Sequence, residues 1–139
     1  MTTTLYFSWR DVPKSKWRWA SFSPAEIACR GDGSIKINEE ALDCLQALRD
    51  LISKPMILLS GYRSPEHNRR VGGARASKHM EGTAFDISMA NHDPVAFEAA
   101  ARKAGFLGFG FYPRSGFTHI DLGPARRGAA RRGTGASAF

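Results

Sequence analysis

The chain has 139 residues, 42% of them hydrophobic and 11% aromatic; this is the length and apolar content of one globular domain, and it excludes a fibrous or disordered protein. Apolar stretches such as Met56 to Leu59 are far too short to cross a bilayer, and the start MTTTLYFSWRDVPKSKWRW lacks the apolar block of a secretory leader, so the chain is expected to be cytoplasmic as synthesised. A formal charge of +7 and a pI near 9.9 favour anionic partners in general, without choosing among nucleic acid, membrane surfaces and acidic polymers.

Residues 1–21 hold Tyr6, Phe7, Trp9, Trp17 and Trp19 with no clear period, and read as an arm packed on a domain of residues 22–124. Ser23-Pro24-Ala25-Glu26 has the grammar of a capped helix start, and a short helix to about Cys29 is expected, ended by Gly31 and Gly33. Asn38 can cap a longer helix in which Leu42, Leu45, Leu48 and Ile52 recur at helical spacing. Met56 to Ser60 suits a buried strand, and Ser64-Pro65-Glu66-His67 repeats the helix-start pattern. Gly72-Gly73 opens a loop, and Ala84 to Ser88 reads as a second strand. A helix follows from Asp93-Pro94 to Gly105. Two further strands, Leu107 to Tyr112 and Phe117 to Leu122, flank the turn residues Pro113 to Gly116 and predict a hairpin. The aromatics Phe106, Phe109, Phe111 and Tyr112 read as core packing of that hairpin. Arg126, Arg127, Arg131 and Arg132 lie among Gly, Ala and Ser, so residues 125–139 read as a basic flexible tail. Cys29 and Cys44 belong to no CxxC pair or Cys/His cluster and are expected to be free thiols. The class is α+β, a small and mainly antiparallel sheet with packed helices.

The chemistry concentrates in SKHMEGTAFDIS, residues 77–88, and FTHID, residues 117–121. Alternation along Ala84 to Ser88 turns Phe85 and Ile87 to one face and Asp86, between the small Ala84 and Ser88, to the other. His79 precedes that strand across a turn that Gly82 permits. The same alternation puts His119 and Asp121 on a shared face. Two imidazoles and a carboxylate supply three ligands of the right hardness for Zn²⁺, with a fourth position left for water, which is the plan of a catalytic rather than a structural site. Each residue alone is more often packed or capping, so the combination carries the reading.

The string SGYRSPEHNRRVGGARASKHMEGTAFDIS resembles the zinc D-alanyl-D-alanine carboxypeptidases and wall endopeptidases of the M15 family, whose SxHxxGxAxD signature is matched by Ser77, His79, Gly82, Ala84 and Asp86. The second signature, an aromatic-x-His-x-Asp setting, is matched by Phe117, His119 and Asp121. The resemblance implies the hedgehog/D-Ala-D-Ala peptidase fold, with His79, Asp86 and His119 as zinc ligands and Arg63 steadying the oxyanion. Tyr62 and Ser77 are implied to touch substrate. Many relatives carry a Glu or Asp as general base three residues before the last zinc histidine, where this chain has Gly116. Asp121 shares the face of His119 and is expected either to take the proton or to orient that histidine. Glu81 and His67 are weaker alternatives, and His92 matches no motif.

The expectation is therefore a monomeric zinc peptidase that cuts the peptide stem of peptidoglycan, as carboxypeptidase or endopeptidase, with no specific nucleic acid partner and no membrane span. A phage or prophage lysis enzyme, delivered from the cytoplasm to the wall or periplasm by a separate partner, fits the same pattern. Two other readings stand beside it: a non-catalytic wall-binding domain that keeps zinc, motivated by Gly116, and a basic nucleic-acid-binding module, motivated by the charge.

Overall fold

The computed structural model describes residues 3–124, so the basic tail expected over 125–139 lies outside the described residues. Thr3–Tyr6 forms β1, which pairs antiparallel with Ile35–Asn38, β2, placing Tyr6 opposite Ile35 and Thr3 opposite Asn38. The sequence predicts neither strand. The Ile-Lys-Ile alternation of β2 is too short to stand out, and its ladder closes only when a segment some thirty positions away supplies the partner. Two single turns of 3-10 helix, Trp9–Asp11 and Lys14–Lys16, then lead to Trp19. Trp19 is buried and donates its indole N–H to Asp43 Oδ1 at 2.8 Å.

The capping box of Ser23 and Glu26 starts α1, Pro24–Ile27, as the sequence predicts. This helix ends before Cys29 because the Cys29 N–H is taken by Ser34 O at 2.7 Å, which turns the chain into the loop that leads to β2. Asn38 ends β2 and also caps α2, Glu39–Ile52, accepting from Ala41 N at 2.9 Å. Leu42, Leu45 and Leu48 are buried at the predicted spacing, each contributing about 1.5–3 kcal/mol by leaving water. After β3, Leu58–Ser60, Ser64 caps the short α3, Pro65–Arg70. β4 is Ala84–Ser88, and α4, Pro94–Ala104, is capped by Asp93 and closed by Gly105 at φ 117. β5, Gly108–Tyr112, and β6, Phe117–Asp121, make the expected hairpin.

These last strands form an antiparallel sheet in the order β3-β4-β6-β5. With the β1-β2 ribbon and four helices among the described residues, the architecture is the α+β class expected from the pattern. Phe85, Ile87, Phe109 and Ile120 of the sheet share one buried cluster with the leucines of α2 and with Phe97 and Ala101 of α4. Among the described residues no helix is long and apolar enough to cross a membrane.

Candidate metal centre

Directly opposed residues of an antiparallel pair lie on the same face of a sheet, so register alone assembles much of the site. Asp86 of β4 stands opposite His119 of β6, and Ala84 opposite Asp121. On β5 the positions facing His119 and Asp121 are Gly110 and Gly108. The intervening residues Phe85 and Ile120 point into the core, which fixes the register, since a slip of one residue would turn the polar ligands into the apolar core and the core side chains onto the site face.

His79 arrives from a 3-10 turn, Lys78–Glu81, ahead of β4. Ser77 Oγ accepts from His79 N at 3.2 Å, and Gly82 leaves the turn at φ 76, a conformation a side chain would oppose. The ring then meets the strands. His79 Nε2 lies 3.1 Å and His119 Nδ1 2.9 Å from the same Asp86 Oδ1, and the three ligand atoms are all within 4.8 Å of one another. Each of the three residues is at most 4% exposed.

The outer nitrogens set the tautomers. His79 Nδ1 is 2.8 Å from the carbonyl of Gly61, which can only accept, so Nδ1 carries the proton and Nε2 presents its lone pair to Asp86. Likewise His119 Nε2 donates to Asp121 Oδ2 at 2.8 Å, leaving the Nδ1 lone pair facing Asp86. Two neutral imidazoles would thus aim lone pairs at one carboxylate oxygen, an arrangement that repels unless positive charge stands among the three. The titration behaviour of the site follows. Burial alone would raise the Asp86 carboxyl, but the flanking imidazoles hold it well below the ordinary carboxylate range. Burial alone would lower His119, but the Asp121 and Asp86 carboxylates hold it above its ordinary value. A divalent cation satisfies the same demand without protons, and a buried His₂Asp set, each imidazole held by an acceptor behind it, fits Zn²⁺ with a ligand position to spare.

Asp121 is 1% exposed and uses both oxygens, Oδ2 for His119 and Oδ1 for the Gly123 N–H at 2.7 Å. Gly108 makes room for it, since a Cβ there would overlap the carboxylate. Arg63 is also buried. It donates from Nε to Ser60 Oγ at 3.2 Å, from one terminal nitrogen to Asn68 Oδ1 at 3.2 Å, and from the other to Asp86 Oδ2 at 3.4 Å. Its backbone N–H reaches His79 O at 3.1 Å, tying the arginine to the histidine turn.

Ser77 is 1% exposed, with its hydroxyl on the His79 turn. Tyr62 is buried with Lys36 Nζ 5.7 Å from its ring centre, and burial pushes its phenol up. Glu81 points outward into an ion pair with Lys78 at 3.2 Å, and His92 Nε2 donates to Pro55 O at 3.0 Å. Neither they nor His67 joins the cluster. Gly116 lies in the β5-β6 turn at φ 71 with open space about it, and no carboxylate stands at this position. Tyr112 is buried, as core packing of the hairpin predicts; register places it on the site face with Phe117, the rings stacked at 4.6 Å, while Phe109 packs on the opposite face. Sequence reasoning also missed Gly61, Asn68 and Gly108. Their roles come from side-chain and backbone contacts that no pattern in the sequence marks.

The Peptidase M15 family model matches residues 20–121. Over 102 residues, 65% of the chain and 53% of the relative, the sequence is 39% identical to the peptidoglycan L,D-endopeptidase MepK of Escherichia coli K12. It is 29% identical over 128 residues to the zinc D-Ala-D-Ala carboxypeptidase of Streptomyces albus G, covering 89% of the chain and 48% of that protein. The chain thus spans about half the length of these relatives. With the family pattern matched across the two strands, the turn and the arginine that build this site, the chain belongs to the peptidase M15 family.

Proposed function

We propose that the chain is a zinc peptidase that hydrolyses a peptide bond in the stem of peptidoglycan. The observation that carries this reading is the convergence of His79 Nε2, Asp86 Oδ1 and His119 Nδ1 on one buried point beside the Arg63 guanidinium. When bound there, zinc supplies Lewis acidity toward the scissile carbonyl and toward a water. The protein residues do the rest. Asp86 draws the two histidines and Arg63 together. Asp121 holds His119 in the tautomer that ligates, and Gly61 O does the same for His79. Arg63, fixed by Ser60 and Asn68, presents positive charge where the carbonyl oxygen becomes an oxyanion. Ser77 serves by capping the His79 turn, and Tyr62 by packing near Lys36, which donates to Met80 O on that turn at 3.0 Å. We assign Asp121 to orientation rather than proton abstraction, because both of its oxygens already accept hydrogen bonds inside the protein. The higher identity to the L,D-endopeptidase favours an internal cut over removal of a terminal residue.

A second reading has its own observation. With Gly116 where many relatives carry a base, the same centre can hold zinc and bind wall peptide without cutting it. Digestion of purified peptidoglycan with mass spectrometry of the released muropeptides separates the two. The peptidase yields new stem fragments, lost on chelation and restored by zinc. A zinc-loaded protein that binds the polymer and releases nothing supports the second reading and refutes the first.

A further inference from the structure

Beside the metal centre, between α3 and the loop that leads to the His79 turn, lies a cavity of about 520 Å³ lined by Pro65, Asn68, Arg69, Gly73, Arg75 and Met80. Two of its residues link it to the centre. Asn68 at its floor accepts from Arg63, which in turn reaches Asp86, and Met80 follows the ligand His79 in sequence. The floor is held rigid, because Asn68 is 4% exposed, donates from Nδ2 to Ala74 O at 2.9 Å, and leaves no space for a side chain at Gly73. The walls are of two kinds. Pro65 and Met80 are apolar, whereas Arg69 and Arg75 are exposed and pair with no acid among the described residues. The nearby Glu66 is engaged by Arg70 at 2.6 Å instead.

The geometry points to a specificity subsite for a substrate side chain that ends in a carboxylate. Its aliphatic stem packs on Pro65 and Met80, and its carboxylate meets the Arg69 and Arg75 guanidinia, which suit planar anions better than lysine does. A hydrocarbon side chain would leave two guanidinium groups without an anion at the rim, and a cationic one would be repelled. This inference rests on the proposed peptidase reading and deepens it: peptidoglycan stems carry free carboxylates, and in some walls these are amidated. The subsite selects the free acid.

The test uses the zinc-loaded full chain and a stem tetrapeptide whose scissile amide is replaced by a reduced, uncleavable bond, prepared with its side-chain carboxylate free or amidated. Calorimetry is expected to show the free acid binding at least about tenfold more tightly than the amide. In the double variant Arg69→Gln/Arg75→Gln the two forms should bind alike, at the affinity of the amide, while Arg69→Lys/Arg75→Lys restores part of the preference. Because both arginines are exposed, circular dichroism of the variants should match that of the parent. Equal binding of the two forms by the parent, failure of the free acid to bind, or a variant that weakens both forms equally would overturn the subsite. Hydrolysis of the cleavable peptide is scored separately. Cleavage without discrimination refutes the subsite and leaves the peptidase, and discrimination without cleavage refutes the peptidase and leaves the subsite.

Discussion

Replacing Asp121 by asparagine separates its two conceivable roles, because the two oxygens of the carboxylate are engaged by two different donors. Gly123 N donates to Oδ1 at 2.7 Å and His119 Nε2 donates to Oδ2 at 2.8 Å. Asparagine has one acceptor oxygen and cannot serve both. If its oxygen keeps Gly123, its amide N–H₂ faces His119 and stabilises the tautomer protonated at Nδ1, which cannot ligate. If its oxygen keeps His119, a buried backbone N–H loses its partner, at a cost of about 1–3 kcal/mol. Loss of a carboxylate behind a ligand histidine typically lowers metal affinity about 10–100-fold, or roughly 1.4–2.7 kcal/mol. The assay is zinc affinity by competition with a chromophoric chelator, followed by peptidase activity at limiting and saturating zinc. The expected result is weaker zinc binding in Asp121→Asn, with much of the activity recovered once zinc saturates. Unchanged affinity with activity abolished at every zinc concentration would refute the orientation role and identify Asp121 as the base.

Gly108→Ala should reproduce part of this effect from the neighbouring strand. The new methyl overlaps the Asp121 carboxylate, so a stability loss of about 1–3 kcal/mol in urea titration is expected, together with weaker zinc binding. Arg63→Lys keeps the charge but loses the fork that reaches Ser60, Asn68 and Asp86 at once. Its kcat should fall about 10²–10³-fold with zinc stoichiometry retained, as measured by single-substrate kinetics and metal analysis. Zinc affinity should also depend on pH with a definite sign. The two carboxylates raise the metal-free His119 above its ordinary value, and zinc must displace that proton. Apparent affinity therefore rises with pH until His119 is neutral in the metal-free protein and falls as acid refills it, with proton uptake on metal removal measurable in weakly buffered solution. An affinity that does not vary with pH across the acid range would contradict this.

Much of the site was legible because strand alternation is a strict rule. Reading Phe85 and Ile87 as core left Asp86 on the opposite face, and the same step placed His119 with Asp121; the register of β4 on β6 then joins the two sets. What alternation cannot supply is the approach of segments from other elements. The Gly61 carbonyl behind His79, Asn68 behind Arg63 and the space left by Gly108 for Asp121 depend on tertiary distances, and a glycine or asparagine in a sequence does not announce what will sit against it. The β1-β2 ribbon escaped for a related reason. Each four-residue strand carries little pattern of its own and is stabilised by the other. The aromatic run of the hairpin predicts burial, which Tyr112 shows, but not parity: only the register, with Tyr112 opposite Phe117 and Gly110 opposite His119, puts it on the site face.

Everything proposed for this chain depends on His79 Nε2, Asp86 Oδ1 and His119 Nδ1 binding one metal ion. Crystals of the zinc-loaded protein, measured on either side of the zinc absorption edge, test it most directly. The expected result is a single anomalous peak about 2.0–2.1 Å from both named nitrogens and in bonding contact with Asp86, with Asp121 still on His119 Nε2. A peak elsewhere in the molecule, or a zinc ion bound through His119 Nε2 with Asp121 turned away, would contradict it.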